Sequence, residues 1–183
     1  MKKYHDVMLI GEHHGEHSVQ EAEYIRGFRP VYVLFEGFTN HSQEEIEFFI
    51  EMCLNGDPAE LTKRVIECVP LFEAIKEIGA IAVGCDDIYL QKLFERYYWN
   101  SAEDYSKGLQ HLLEQTENLR EISKERENLM SDVISEYAEK GKTLAIVGRG
   151  HSDYVLMNLE NKGIKVEYKP LISKWISFNP QQP

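Results

Sequence analysis

Cysteine is scarce in this chain: three residues in 183 (Cys53, Cys68 and Cys85), odd in number and widely spaced. They build neither a disulfide framework nor a Cys-x-x-Cys zinc site, and such usage fits a reducing compartment. Proline is sparse, at 6, and no segment is low in complexity. No unit repeats at the roughly 20–50-residue periods of solenoids and propellers. Long apolar runs are missing as well, since none reaches the roughly 18–20 residues that a bilayer span requires. Positive charge is in deficit: 20 Lys+Arg face 31 Asp+Glu, a net −11. Nucleic acid and anionic membrane attract the opposite sign, so neither is expected as a partner. The first apolar run is flanked by His5 and Asp6 on one side and by Glu12, His13 and His14 on the other, unlike a signal peptide. The expected protein is cytoplasmic.

What is present is enough to fold. With 43% hydrophobic and 28% charged residues, positions 1–183 can bury one core as a single domain. Five β-rich runs stand out at Asp6–Ile10, Val31–Phe35, Ala80–Gly84, Thr143–Val147 and Ile164–Tyr168. The first four are almost continuously apolar, the pattern of strands covered on both faces. Helical periodicity fills the intervals, so the expected class is α/β: a parallel-rich central sheet with helices on both faces.

The connections carry recognisable stops. Ser18-Val19-Gln20-Glu21 reads as a capping box opening a helix that Gly27 and Pro30 end. A second helix runs from about Ser42 to Asn55-Gly56-Asp57-Pro58. Leu61, Val65 and Ile66, then Leu71, Ile75 and Ile78, predict two further short helices. From Ser101 to Lys140 the helical pattern is so long that it would extend about 60 Å, so a break or helical hairpin is expected. We place a helical insertion at about 88–140 and a loose C-terminal tail after Trp175.

Ionisable residues collect where the strands end. The first strand runs into Gly11-Glu12-His13-His14-Gly15-Glu16-His17, the second into Glu36-Gly37, the third into Cys85-Asp86-Asp87, and the fourth into Gly148-Arg149-Gly150-His151-Ser152-Asp153. Open parallel sheets bind ligands beyond the carboxyl ends of their strands, so these imidazoles and carboxylates converge on one edge. Such a set suits a divalent metal or acid–base chemistry. Competing roles are ordinary ones. Glu21 reads as a helix cap, Asp86 and Asp87 can cap the next helix, and Cys85 reads as a small apolar residue. His151 lies in a glycine-bounded turn, with Ser152 or Asp153 capping the next helix. Arg126 interrupts an apolar stripe made by Leu119, Ile122, Leu129 and Val133, and a charge there must snorkel or find a partner. No G-x-G-x-x-G, Walker, G-x-S-x-G or H-E-x-x-H motif occurs.

These motifs resemble a superfamily that joins erythromycin esterases, ChaN-type haem-binding lipoproteins, TraB/PrgY pheromone-shutdown proteins and Tiki-type metalloproteases. The resemblance rests on Gly11, Glu12 and His14 after the first strand and Glu36 after the second. It rests further on Arg126, Glu127 and Met130 late in a helix, and on Val147, Gly148, Gly150 and His151 after the fourth strand. A Tiki-like reading implies a divalent ion (Mn, Co or Zn) on His14, Glu36 and His151. Glu12 is then a further ligand or the base, and His13, His17 and Asp86 are additional candidates. The implied activity is hydrolysis of an amide (peptide) or ester bond, with Arg126 or Arg149 stabilising the oxyanion. An esterase-like reading implies a Glu–His pair that activates water without metal. A binder of metal, haem or peptide, without turnover, is the third expectation. The substrate is a small molecule or peptide, and the long amphipathic helix makes a homodimer plausible.

Overall fold

The structure is a computed structural model that describes residues 4–12, 17–38, 41–57, 61–103 and 109–171. His13, His14 and the tail with Trp175 lie outside the described residues. Among the described residues, five strands form one parallel sheet: β1 (Val7–Glu12), β2 (Tyr32–Phe35), β3 (Ile81–Gly84), β4 (Thr143–Gly148) and β5 (Val166–Pro170), in the order β3-β2-β4-β1-β5. The expected α/β class is what the chain adopts.

Alternation along the strands sends successive side chains to opposite faces, and each face is covered. Met8, Ile10, Val33, Phe35, Leu144 and Ile146 point into a first core shared with α1 (Ser18–Phe28), α2 (Gln43–Asn55) and α3 (Lys63–Ile78). Val7, Leu9, Leu34, Ala145 and Val147 point into a second, shared with α5 (Leu109–Lys140) and α6 (Arg149–Asn161). Helices after β1 and β2 thus cover one face, and those after β3 and β4 the other. Neighbouring β2 and β4 send their helices to opposite faces, which opens a crevice beyond their carboxyl ends.

Several local expectations need correction. The first helix has His17, not Ser18, at its N-cap, and no side-chain cap forms there. Ser18 instead donates its hydroxyl to the Glu67 carbonyl, which leaves Glu21 pointing inward and buried. Gly27 does not stop this helix. The chain leaves it at Arg29, held at φ 52 where Pro30 disfavours a helical predecessor. Residues 63–78 form a single helix, with Pro70 inside it. Pro70 can donate nothing to the Ile66 carbonyl, and Ile66 is an exposed residue, so water can take that carbonyl. The capping box at Ser42 and Glu45 does form and opens α2.

The long helical signal resolves into α4 (Ile88–Glu103) and α5, packed on each other. The second half of α5 is not an insertion, because Met130, Ile134 and Ala138 are fully buried beneath the sheet. Its length, 32 residues, gives a rod of about 48 Å whose C-terminal part serves as the β3-to-β4 crossover.

Gly84 closes β3 against the loop after β2. A Cβ there would collide with the Phe38 backbone carbonyl, so any side chain must push that loop outward. Gly84→Ala should therefore lower unfolding free energy by about 1–3 kcal/mol, the usual range for overpacking. Urea denaturation checks this; an unchanged midpoint would show that the loop yields without cost.

Candidate functional site

The carboxyl ends of β2, β3 and β4 deliver Glu36, Asp86 and His151 to one point, and α5 delivers Arg126 and Glu127 from below. Arg126 is the hub. Its Nε donates to Asp86 Oδ1 at 3.2 Å and Oδ2 at 3.1 Å, and its Nη2 donates to Glu36 Oε1 at 2.9 Å and also to Asp86 Oδ2. The Arg126 residue is only 4% exposed, and Phe94 lies 5.6 Å from its guanidinium carbon. Burial works against its charge, but the hydrogen bonds and charges of Asp86 and Glu36 outweigh that and raise its pKa. The interruption in the apolar stripe thus finds partners rather than snorkelling.

Glu36 is held on its other side too. Its Oε2 accepts from the Gly148 N–H at 2.6 Å, at the N-terminal end of α6, where the helix dipole favours a negative charge. His151 sits in the first turn of that helix, and not in a separate glycine-bounded turn, because α6 already starts at Arg149. Neither Ser152 nor Asp153 caps it. Ser152 is buried, its hydroxyl donating to the Arg149 carbonyl and meeting Tyr168 Oη at 2.7 Å.

His151 shows a defined tautomer. Arg126 Nη1 donates to Nε2 at 3.3 Å, so Nε2 carries the lone pair and Nδ1 carries the hydrogen, which it donates to Glu127 Oε1 at 3.0 Å. Ser123 donates to the same Glu127 oxygen at 3.1 Å. A buried carboxylate fixing one ring nitrogen and leaving the other basic is the arrangement that orients imidazole bases in hydrolases.

Asp87, by contrast, caps α4: its Oδ1 accepts from the Tyr89 and Leu90 N–H groups at 2.8 and 3.0 Å. Of the two aspartates expected as caps, Asp87 takes that role, while Asp86 pairs with Arg126. Cys85 is buried beside them. Burial, then the Glu36 and Asp86 charges, push its thiol well up, so it is no nucleophile.

A cavity of about 390 Å³ opens next to this cluster, between the strand ends and the helices of the first face. Glu36 forms part of its wall, with Glu12 and Glu21 on the β1 side and phenylalanines on the other. Glu21 is 1% exposed and hydrogen-bonded to Glu12; burial first, and then the Glu12 charge, raise its pKa to about 9. Glu21 therefore keeps its proton at neutral pH.

Of the candidate site residues, Glu36, Asp86, Arg126 and His151 meet, and Glu12 joins them through the cavity wall. His13 and His14 lie outside the described residues. His17 is buried at the start of α1, with no partner for its Nε2 among the described residues. Arg149 stands apart, beside Tyr168 on the β5 side, and joins none of the cluster's hydrogen bonds among the described residues. Sequence reasoning does not reach Ser123, Glu127 or Glu21 as parts of the site. The Arg126-Glu127 pair is the available sign for Glu127, and the nearness of Glu21 to Glu12 shows only in three dimensions.

The fit of a divalent ion can be tested on these donors. Glu36 Oε1, both Asp86 oxygens and His151 Nε2 all face Arg126, so a fixed positive charge fills the point where they converge. Among the described residues, no three His, Cys, Asp or Glu side chains are disposed to hold a metal ion. The described donor set does not fit one. No helix among the described residues is long and apolar enough to cross a membrane.

Fold and site together define an all-parallel α/β protein with a buried carboxylate–arginine–histidine cluster at the carboxyl edge of its sheet. No protein-family model matches this chain, and no curated protein or solved structure matches it.

Proposed function

We propose that the chain is a metal-independent hydrolase of amide or ester bonds, with His151 as the base. The observation that carries this reading is the Glu127–His151 hydrogen bond of 3.0 Å, which turns the Nε2 lone pair toward Arg126, itself bonded to the cavity-lining Glu36. In the proposed reaction Nε2 takes a proton from water as the oxygen attacks the substrate carbonyl. Arg126 stabilises the oxyanion, and the imidazolium returns the proton to the leaving amine or alcohol. Asp86 and Glu36 hold the guanidinium in place, and Glu127 supports the imidazolium.

The test is turnover of p-nitrophenyl esters and amino-acid p-nitroanilides by chelator-treated protein. Hydrolysis should survive the chelator, and His151→Ala should lower kcat/KM about 10²-fold. Activity restored only by Mn, Co or Zn would favour the metal-dependent reading instead. A second reading, binding without turnover, draws on the engagement of Nε2 by Arg126, since a base must be released from that contact before it acts. Saturable binding with no hydrolysis on either panel would establish it.

A further inference from the structure

The cavity beside the cluster has an unusual wall. Three carboxyl residues, Glu12, Glu21 and Glu36, line it together with Phe38, Phe49 and Phe72, whose rings pack at centroid distances of 5.6 to 6.4 Å. Among the described residues that line it there is no Lys, Arg or His. Glu36 has its positive partner on the far side, in Arg126. The independent sign of a ligand is Glu21: it is 1% exposed, it lines the cavity, and its Oε1 has no hydrogen-bond partner among the described residues. A buried carboxyl oxygen left without a partner costs about 1–3 kcal/mol, and a donor entering the cavity would remove that cost.

We propose that this cavity binds an organic ammonium group, with the nitrogen against Glu21, Glu12 and Glu36 and its hydrocarbon body against the phenylalanines. The chemistry selects this class. An ammonium brings several N–H donors and a positive charge to a carboxyl-rich wall that carries no described cation of its own. Aromatic faces attract cations and shelter an apolar body, which neither an anion nor a hydrated inorganic ion would use. A volume of about 390 Å³ suits a small molecule or a single amino-acid side chain. As a statement about substrate, this rests on the hydrolase reading and implies an ester or amide bearing an ammonium; as a statement about binding, it stands alone.

Calorimetric titration of the full chain with 2-phenylethylammonium, its neutral isostere 2-phenylethanol, and potassium or magnesium chloride tests it. The ammonium should bind at least tenfold more tightly than the alcohol. Glu21→Met, which removes both carboxyl oxygens, should lower the ammonium affinity about fivefold or more and weaken the alcohol less. Val65→Phe, which fills the cavity from its wall, should weaken both organic ligands. Equal affinity for alcohol and ammonium, or displacement of the ammonium by millimolar magnesium, would overturn the proposal. Ammonium binding without hydrolysis counts against the hydrolase reading only; hydrolysis with no ammonium preference counts against this one only.

Discussion

Arg126→Met is expected to cost the fold about 3–5 kcal/mol, the range for removing one partner of a buried ion pair. Methionine nearly fills the volume of the arginine stem, so the loss is electrostatic rather than a cavity effect. Without the guanidinium, Glu36 and Asp86 remain buried, and among the described residues Asp86 keeps the N–H of the next residue, Asp87, as donor. Both carboxyls then gain by taking up a proton, so the variant should be least stable at neutral pH and recover part of its loss below pH 5. Guanidinium denaturation at pH 7 and pH 4.5 measures both effects. Adding Glu36→Gln and Asp86→Asn to Arg126→Met should restore a large share of the stability, because neutral amides have no charge to leave unpaired. A loss below about 1 kcal/mol, typical of exposed pairs, would mean that water reaches the cluster and screens it.

That cluster also shows how far a one-dimensional reading reaches. The strands were legible because continuous apolar runs such as Val33, Leu34 and Phe35 have few alternatives to a doubly covered sheet. The convergence of Glu36, Asp86 and His151 was legible for a related reason, since parallel strands must end on the same edge. Arg126 declared itself by breaking an apolar stripe. Glu127 did not, because adjacent helix positions point about 100° apart and only one of them can follow a stripe. Here the helix lies close enough to the sheet edge that both are buried, each reaching a different strand end.

Other features were illegible because they depend on competition between partners. Ser18 and Glu21 have the spacing of a capping box, yet the Glu67 carbonyl of α3 takes the Ser18 hydroxyl and Glu12 takes Glu21. The pattern was genuine but tertiary partners won. The break expected between Ile66 and Leu71 does not occur: Leu71, Phe72, Ala74 and Ile75 bury enough surface to carry one helix across Pro70 and its missing hydrogen bond. The metal expectation drew on the convergence of the strand ends and on the family resemblance, and His14 of its ligand set lies outside the described residues. What the sequence does not reveal is that Arg126, some ninety positions after Glu36, donates to both Glu36 and Asp86.

Buried Glu21 makes stability depend on pH with a definite sign. In the unfolded chain Glu21 ionises near 4.5; in the fold, burial and the Glu12 charge hold its proton until about pH 9. Between those values the unfolded chain has released a proton that the folded chain still carries, so raising the pH favours unfolding. One such group lowers unfolding free energy by about 1.4 kcal/mol for each pH unit, or about 4 kcal/mol between pH 5 and pH 8. Below 4.5 both states hold the proton, and above about 9 neither does, so the effect is confined to this window. Glu21→Gln keeps the shape and a hydrogen bond to Glu12 but cannot ionise. It should match the parent near pH 5 and exceed its stability by several kcal/mol at pH 8, with a nearly flat profile where the parent's falls. Urea midpoints at each pH unit from 5 to 8 decide the matter. Parallel profiles for the two proteins would mean that Glu21 ionises normally in the fold.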